Sequence, residues 1–195
     1  MKLSLPLLLS IVPILSAAPT LDKAKTFGNP DAPITIELFS DFQCPSCRML
    51  HMTLLPSIMR DYVVPGKAYL VYKEYPLPQH NHSREAAAYA CAAARVGKYE
   101  QVADVLFQNQ PAWAENGKVF ETVSTALTPA EQKKVQALAK DPGILDEVQQ
   151  DVQQGQLQGV NQTPTMLIIR GAKKYPVAGV PNYSLLRSIL DGLAK

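Results

Sequence analysis

Ile34-Thr35-Ile36-Glu37-Leu38-Phe39-Ser40-Asp41-Phe42-Gln43-Cys44-Pro45-Ser46-Cys47 is the stretch whose reading decides the fold. Residues 34–39 are β-branched, aromatic and alternating, which reads as a strand. Ser40, Asp41 and Gln43 make a turn. From Cys44 onward, Met49, Met52, Leu55 and Met59 recur at helical spacing. A C-x-x-C tetrapeptide therefore stands where a strand hands over to a helix. At a helix start, unpaired N–H groups and the macrodipole favour a thiolate on the first cysteine. Pro45 suits the first turn, because its missing N–H would have no partner there. The spacing points to a redox-active dithiol, with Cys44 exchanging with substrate and Cys47, one turn in, resolving.

Outward from this stretch the elements alternate. Residues 21–33 form a lead-in arm with a turn at Gly28-Asn29-Pro30-Asp31. Pro56 predicts a kink before Tyr62. Residues 68–72 are a second strand, which makes a βαβ unit with a parallel pair and a right-handed crossover. Residues 83–95 are Ala-rich and helical, closed by Gly97. Further helices are expected over 99–108 and 118–127. Thr128-Pro129-Ala130-Glu131 signals another through a capping box, and Asp141-Pro142 opens one that runs toward Gly155. Phe107, Trp113 and Phe120 are the expected core of this helical segment. A strand over 165–169, a hairpin partner over 173–177 and a closing helix over 183–193 complete the chain, with Leu186, Ile189, Leu190 and Leu193 inward. The expected class is α/β: βαβ, an inserted all-helical subdomain over about residues 79–158, then ββα.

The N-terminus reads as a signal peptide over residues 1–18. Lys2 gives a positive start, residues 3–15 are almost wholly apolar, and Ser16-Ala17-Ala18 supplies small residues for cleavage. The apolar run falls short of the roughly 20 residues a membrane-spanning helix needs. Residues 19–195 then form one domain in an exported protein. The periplasm is the expected compartment, with secretion as the alternative. A formal net charge of +2 with no Lys/Arg cluster argues against nucleic-acid binding. The chain has three cysteines, and a secreted domain stapled by disulfides would carry more, in even number. Cys91, set among alanines, reads as a small buried hydrophobe.

The residues resemble the thioredoxin superfamily in its DsbA-like branch, which carries a helical insert. The matching segments are Phe39 to Arg48 around the cysteines, Tyr75-Pro76-Leu77 followed by His80, the Ala-rich helix ending Gly97-Lys98-Tyr99, and Val160-Asn161-Gln162-Thr163-Pro164-Thr165. The resemblance implies a thioredoxin-like fold and a protein-disulfide oxidoreductase. It also implies that Thr163-Pro164 is a cis loop beside the dithiol, where the backbone of Thr163 pairs with an extended substrate segment. Exported proteins are the implied substrates, and a membrane quinone-linked reoxidase is the implied partner. The chemistry needs no organic cofactor and no metal.

Two departures bear on its strength. DsbA carries Pro-His between the cysteines, whereas this chain has Pro45-Ser46, which brings no positive charge. These two residues are the expected tuners of the couple, and they predict a milder oxidant. Relatives often place a carboxylate six residues before the first cysteine; here that position is Leu38, and Glu37 falls on the other face of the strand. Other readings remain open at this level. The chain could run as a reductase or isomerase. It could be a metal-binding or metal-delivery protein, with Cys44 and Cys47 joined by His51, His80 or His82. A structural Cys44–Cys47 bond in an interaction domain is the third.

Overall fold

β2 (Ile34–Ser40) runs through the middle of a five-stranded sheet in a computed structural model that describes residues 23–195. The signal peptide expected over residues 1–18 lies outside the described residues. The sheet order is β1-β3-β2-β4-β5, with β1 at Thr26–Phe27, β3 at Ala68–Glu74, β4 at Thr165–Arg170 and β5 at Lys173–Ala178. β2 and β3 are parallel, with Leu38 opposite Tyr72 and Ser40 opposite Glu74; β4 and β5 extend the sheet antiparallel. The short edge strand β1 was not expected from the lead-in arm. It pairs antiparallel with β3 through Thr26 and Phe27, a run too short to show alternation.

The crossover from β2 to β3 is helical over residues 45–63. It comprises α1 (Pro45–Met49), a π-helical turn at Leu50–Leu54, α2 (Leu55–Ile58) and a second π-helical turn at Met59–Val63. Pro56 stands in the first turn of α2, directly after a π-helical turn. π-helical turns flank α2 on both sides, and helical structure continues through Pro56. Ile34, Ile36 and Leu38 of β2 pack with Cys47, Leu50, Ile58 and Met166 in the main core. α9 (Tyr183–Leu193) covers the same core with Leu186 and Leu190 fully buried and Ile189 and Leu193 half-buried.

Between β3 and β4 lie α3 (Ser83–Ala94), α4 (Tyr99–Gln108), α5 (Gln110–Asn116), α6 (Val119–Ser124), α7 (Pro129–Leu138) and α8 (Pro142–Leu157). α3 is buried almost all round, as a helix central to a bundle must be. Its alanines let the neighbouring helices approach closely. The capping box at Thr128 forms as the motif predicts, with Glu131 N–H on the Thr128 hydroxyl and the Glu131 carboxylate on Thr128 N–H. α5 was not expected, and α8 runs past Gly155 to Leu157. A Cβ on Gly155 would lie 2.6 Å from the Tyr75 ring. That glycine therefore lets α8 rest on the sheet, where it packs beside Phe39, Tyr75 and Leu167, and it does not end the helix.

Candidate active site

The turn that carries the cysteines is held by one buried carboxylate. Asp41 Oδ1 accepts from the Gln43 N–H at 2.7 Å and from the Ser83 hydroxyl. Its Oδ2 accepts from the Leu77 N–H at 2.8 Å and faces His80 Nδ1 at 2.7 Å. One side chain thus ties the end of β2 to the 75–83 loop and the start of α3. His80 is accordingly an ordering residue of that loop.

Cys44 is the N-cap of α1, in extended conformation (φ −76°, ψ 122°), and Pro45 opens the helix. Its Sγ donates to the carbonyl of Thr163 at 3.4 Å, and the Thr163–Pro164 peptide is cis. Residues 119 positions apart in sequence therefore meet at one sulfur. The Cys44 thiol is pulled down to about 5. A hydrogen bond from the Cys47 thiol is the largest cause; burial opposes it, and the Thr163 side chain with the N–H groups of Cys47 and Ser46 adds to the lowering. Ser46 thus acts on Cys44 through its backbone. Pro45 and Ser46 are both exposed, whereas Cys47 is fully buried. Burial, and then the neighbouring Cys44, push the Cys47 thiol far up, although it accepts from the Asp41 N–H at 3.4 Å.

The helices of the insert grip this turn at several points. Gln110, buried in α5, donates from Nε2 to the carbonyls of Phe42 at 2.6 Å and Cys44 at 3.0 Å. Gln43 accepts from the His82 N–H at 2.9 Å, and Arg48 Nε donates to the Phe107 carbonyl at 2.9 Å. None of these positioning contacts was foreseen. Gln110-Pro111, a proline set in the first helical turn, was the available signal for α5.

Leu38 is buried in the core with Cys47, so no carboxylate occupies that place. Glu37 points to the opposite face and accepts from Gln158 Nε2 at 3.1 Å. A different buried carboxyl stands on the neighbouring strand. Glu74, opposite Ser40 in the sheet, accepts from the Tyr99 hydroxyl at 2.7 Å, and burial pushes it up to about 8 against the pull of Lys25 and Tyr99. Two of the three histidines of the metal reading are engaged elsewhere: His51 stacks on Phe107 and bonds Asp104 at 2.8 Å, and His80 faces Asp41. Among the described residues no group of three His, Cys, Asp or Glu side chains is arranged to hold a metal ion.

A family model described as Thioredoxin matches residues 20–191. The chain belongs to the thioredoxin family. A probable disulfide bond formation protein D of Bacillus cereus is 26% identical, over 74% of this chain and 69% of its own length. The disulfide bond formation protein D of Bacillus subtilis is 22% identical, over 79% of this chain and 71% of its own. A solved thioredoxin-like oxidoreductase from Silicibacter pomeroyi is 27% identical, covers 86% of this chain and 90% of that one, and superposes with a TM-score of 0.69. Alpha-DsbA1 of Wolbachia pipientis superposes at 0.71 with 19% identity, over 87% and 90% of the two chains. This thioredoxin-family chain thus has the DsbA-like fold, a mixed sheet with helices inserted between β3 and β4.

Proposed function

We propose that this chain is an exported protein-disulfide oxidoreductase that introduces disulfides into other exported proteins through Cys44 and Cys47. The observation that carries the reading is a thiol drawn down to about 5 at a helix start, paired with a shielded cysteine one turn on. A low thiolate pKa stabilises the reduced dithiol, and so makes the disulfide form an oxidant.

In the oxidising direction a substrate thiolate attacks Cys44 Sγ of the Cys44–Cys47 disulfide. The new substrate–Cys44 bond forms as the old bond breaks, and Cys47 leaves with the electron pair and takes up a proton, consistent with its raised pKa. A second substrate thiolate then attacks the substrate sulfur of the mixed disulfide and releases Cys44 as a thiolate. The substrate loses two electrons and gains a disulfide; the protein becomes the dithiol. Thr163 and Pro164 hold the substrate backbone beside Cys44, and the Thr163 carbonyl lies within reach of that sulfur. Pro45 and Ser46 set a milder potential than a cationic pair would. A membrane quinone-linked reoxidase returns the dithiol to disulfide. The signal-like residues 1–18 support export to the periplasm, and no helix among the described residues is long and apolar enough to cross a membrane.

The test is a pair of variants in an oxidising host. Cys44→Ser abolishes exchange, and Cys47→Ser accumulates mixed disulfides visible by non-reducing electrophoresis. A Cys44→Ser protein that stays active would overturn the assignment. A reduction potential near that of thioredoxin, about −270 mV, would reverse the direction to reduction.

A further inference from the structure

A groove of about 760 Å³ opens between α8 and the 75–82 loop with the start of α3, and it ends at Thr163. Its lining is rich in amides: Gln79, Asn81, Gln149, Gln156, Asn161 and Gln162. No aspartate or glutamate is among the residues that line it, and Arg84 stands at its edge, exposed, with Nη2 on Gln149 Oε1 at 3.1 Å. At the inner end lies Thr163, only 8% exposed.

We propose that this groove holds the stretch of substrate polypeptide flanking the reacting cysteine, in extended form and carrying acidic or amide side chains. The inference rests on the exchange reading above and names the substrate class that reading leaves open. An extended chain presents N–H and C=O groups without partners. Carboxamides both donate and accept, so a wall of them satisfies such a backbone whatever its sequence. Arg84, with no lining carboxylate to compete, adds a preference for acids. Thr163 stands at the junction, its carbonyl 3.4 Å from Cys44 Sγ. A chain bonded to Cys44 and paired with Thr163 is thereby led into the groove.

The test measures exchange of the oxidised protein with two reduced peptides, one cysteine flanked on both sides by Asp and Asn, the other by Lys. Each rate is divided by that for 2-mercaptoethanol, which is too small to fill the groove. The wild-type protein prefers the acidic peptide on the order of tenfold, about 1.4 kcal/mol, and Arg84→Glu reverses the preference. Gln156→Trp, at an exposed position on α8 that tolerates bulk, lowers both normalised peptide rates by about tenfold. A preference that Arg84→Glu leaves intact, or normalised rates that Gln156→Trp leaves at the wild-type value, overturns the proposal. Failure of the exchange reading shows separately, as no reaction with 2-mercaptoethanol. In that case binding of the acidic peptide with Ser in place of Cys decides: weaker binding to Arg84→Glu than to wild type sustains the groove, and equal binding removes it.

Discussion

Cys44 and Cys91 are both buried cysteines, and the molecule treats them in opposite ways. Cys44 sits at the first turn of α1, where the Cys47 thiol, Thr163 and two backbone N–H groups stabilise its thiolate against burial. Cys91 sits in the middle of α3, where every backbone N–H is committed within the helix. Burial pushes its thiol well up, and the Lys25 ammonium at 3.5 Å offsets only part of that. Around Cys91 lies a buried seam of ion pairs. Asp151 binds Lys25 at 2.9 Å, Lys73 at 3.0 Å and the Glu74 N–H at 3.1 Å, while Lys25 also meets Glu147 at 2.6 Å. Proximity to a cation therefore does not by itself bring a thiol pKa down. At Cys44 the Cys47 thiol does so first, with the N–H groups of the helix start adding to it.

The sharpest break of this comparison is chemical labelling. In the folded, reduced protein at neutral pH, iodoacetamide modifies Cys44 rapidly, while Cys91 reacts only as the fold opens. The difference is expected to reach several orders of magnitude, read by mass spectrometry of peptides. Comparable rates at the two sites would remove the distinction.

Asp151→Ala tests the seam. It strips the shared partner from two buried lysines, and breaking a buried ion pair costs about 3–5 kcal/mol. Urea unfolding should register that loss, whereas the ionisation of Cys44 stays where it was.

Third comes pH. Free cysteine ionises near ~8.5, and Cys44 in the folded dithiol near 5. Between these values the unfolded chain binds more protons at this site, so the reduced protein gains stability as pH rises. That contribution is complete above ~8.5 and is lost as pH falls through about 5; above ~8.5 the protonated Cys47 works the other way. The disulfide form lacks the term, and Glu74 is common to both forms. The reduced-minus-oxidised stability should climb by up to about 1.4 kcal/mol per pH unit. A flat difference would contradict the low thiol.

The smallest effect is expected at Gln110. Gln110→Ala leaves the Phe42 carbonyl without its donor and the Cys44 carbonyl with the Arg48 N–H alone, at about 1–2 kcal/mol. Because those carbonyls belong to the turn before α1, peptide exchange should slow as well. A stability loss with unchanged exchange would show that α5 braces the fold without positioning the dithiol.

Much of the fold was legible where local periodicity carries the information. β2 and β3, the Cys44 helix start, the Thr128 capping box, α4 and α9 all follow from side-chain spacing and caps within a few residues. β1 escaped because two residues show no period, and α5 because it is short and polar. At the site, the C-x-x-C was plain and its closeness to Thr163-Pro164 came through family resemblance. The Asp41 junction, the Gln110 grip and the burial of Glu74 each join segments that are tens of residues apart, and no local pattern reports them.

The sequence by itself determined that a dithiol begins a helix after a β-strand, because strand and helix periods, proline at the first turn and cysteine spacing are local properties. Only the tertiary structure decided which thiol is drawn down and which is pushed up. The Cys47 thiol, the Thr163 side chain and backbone N–H groups converge on Cys44, while burial holds Cys47 up, and a pKa depends on what surrounds a group in space.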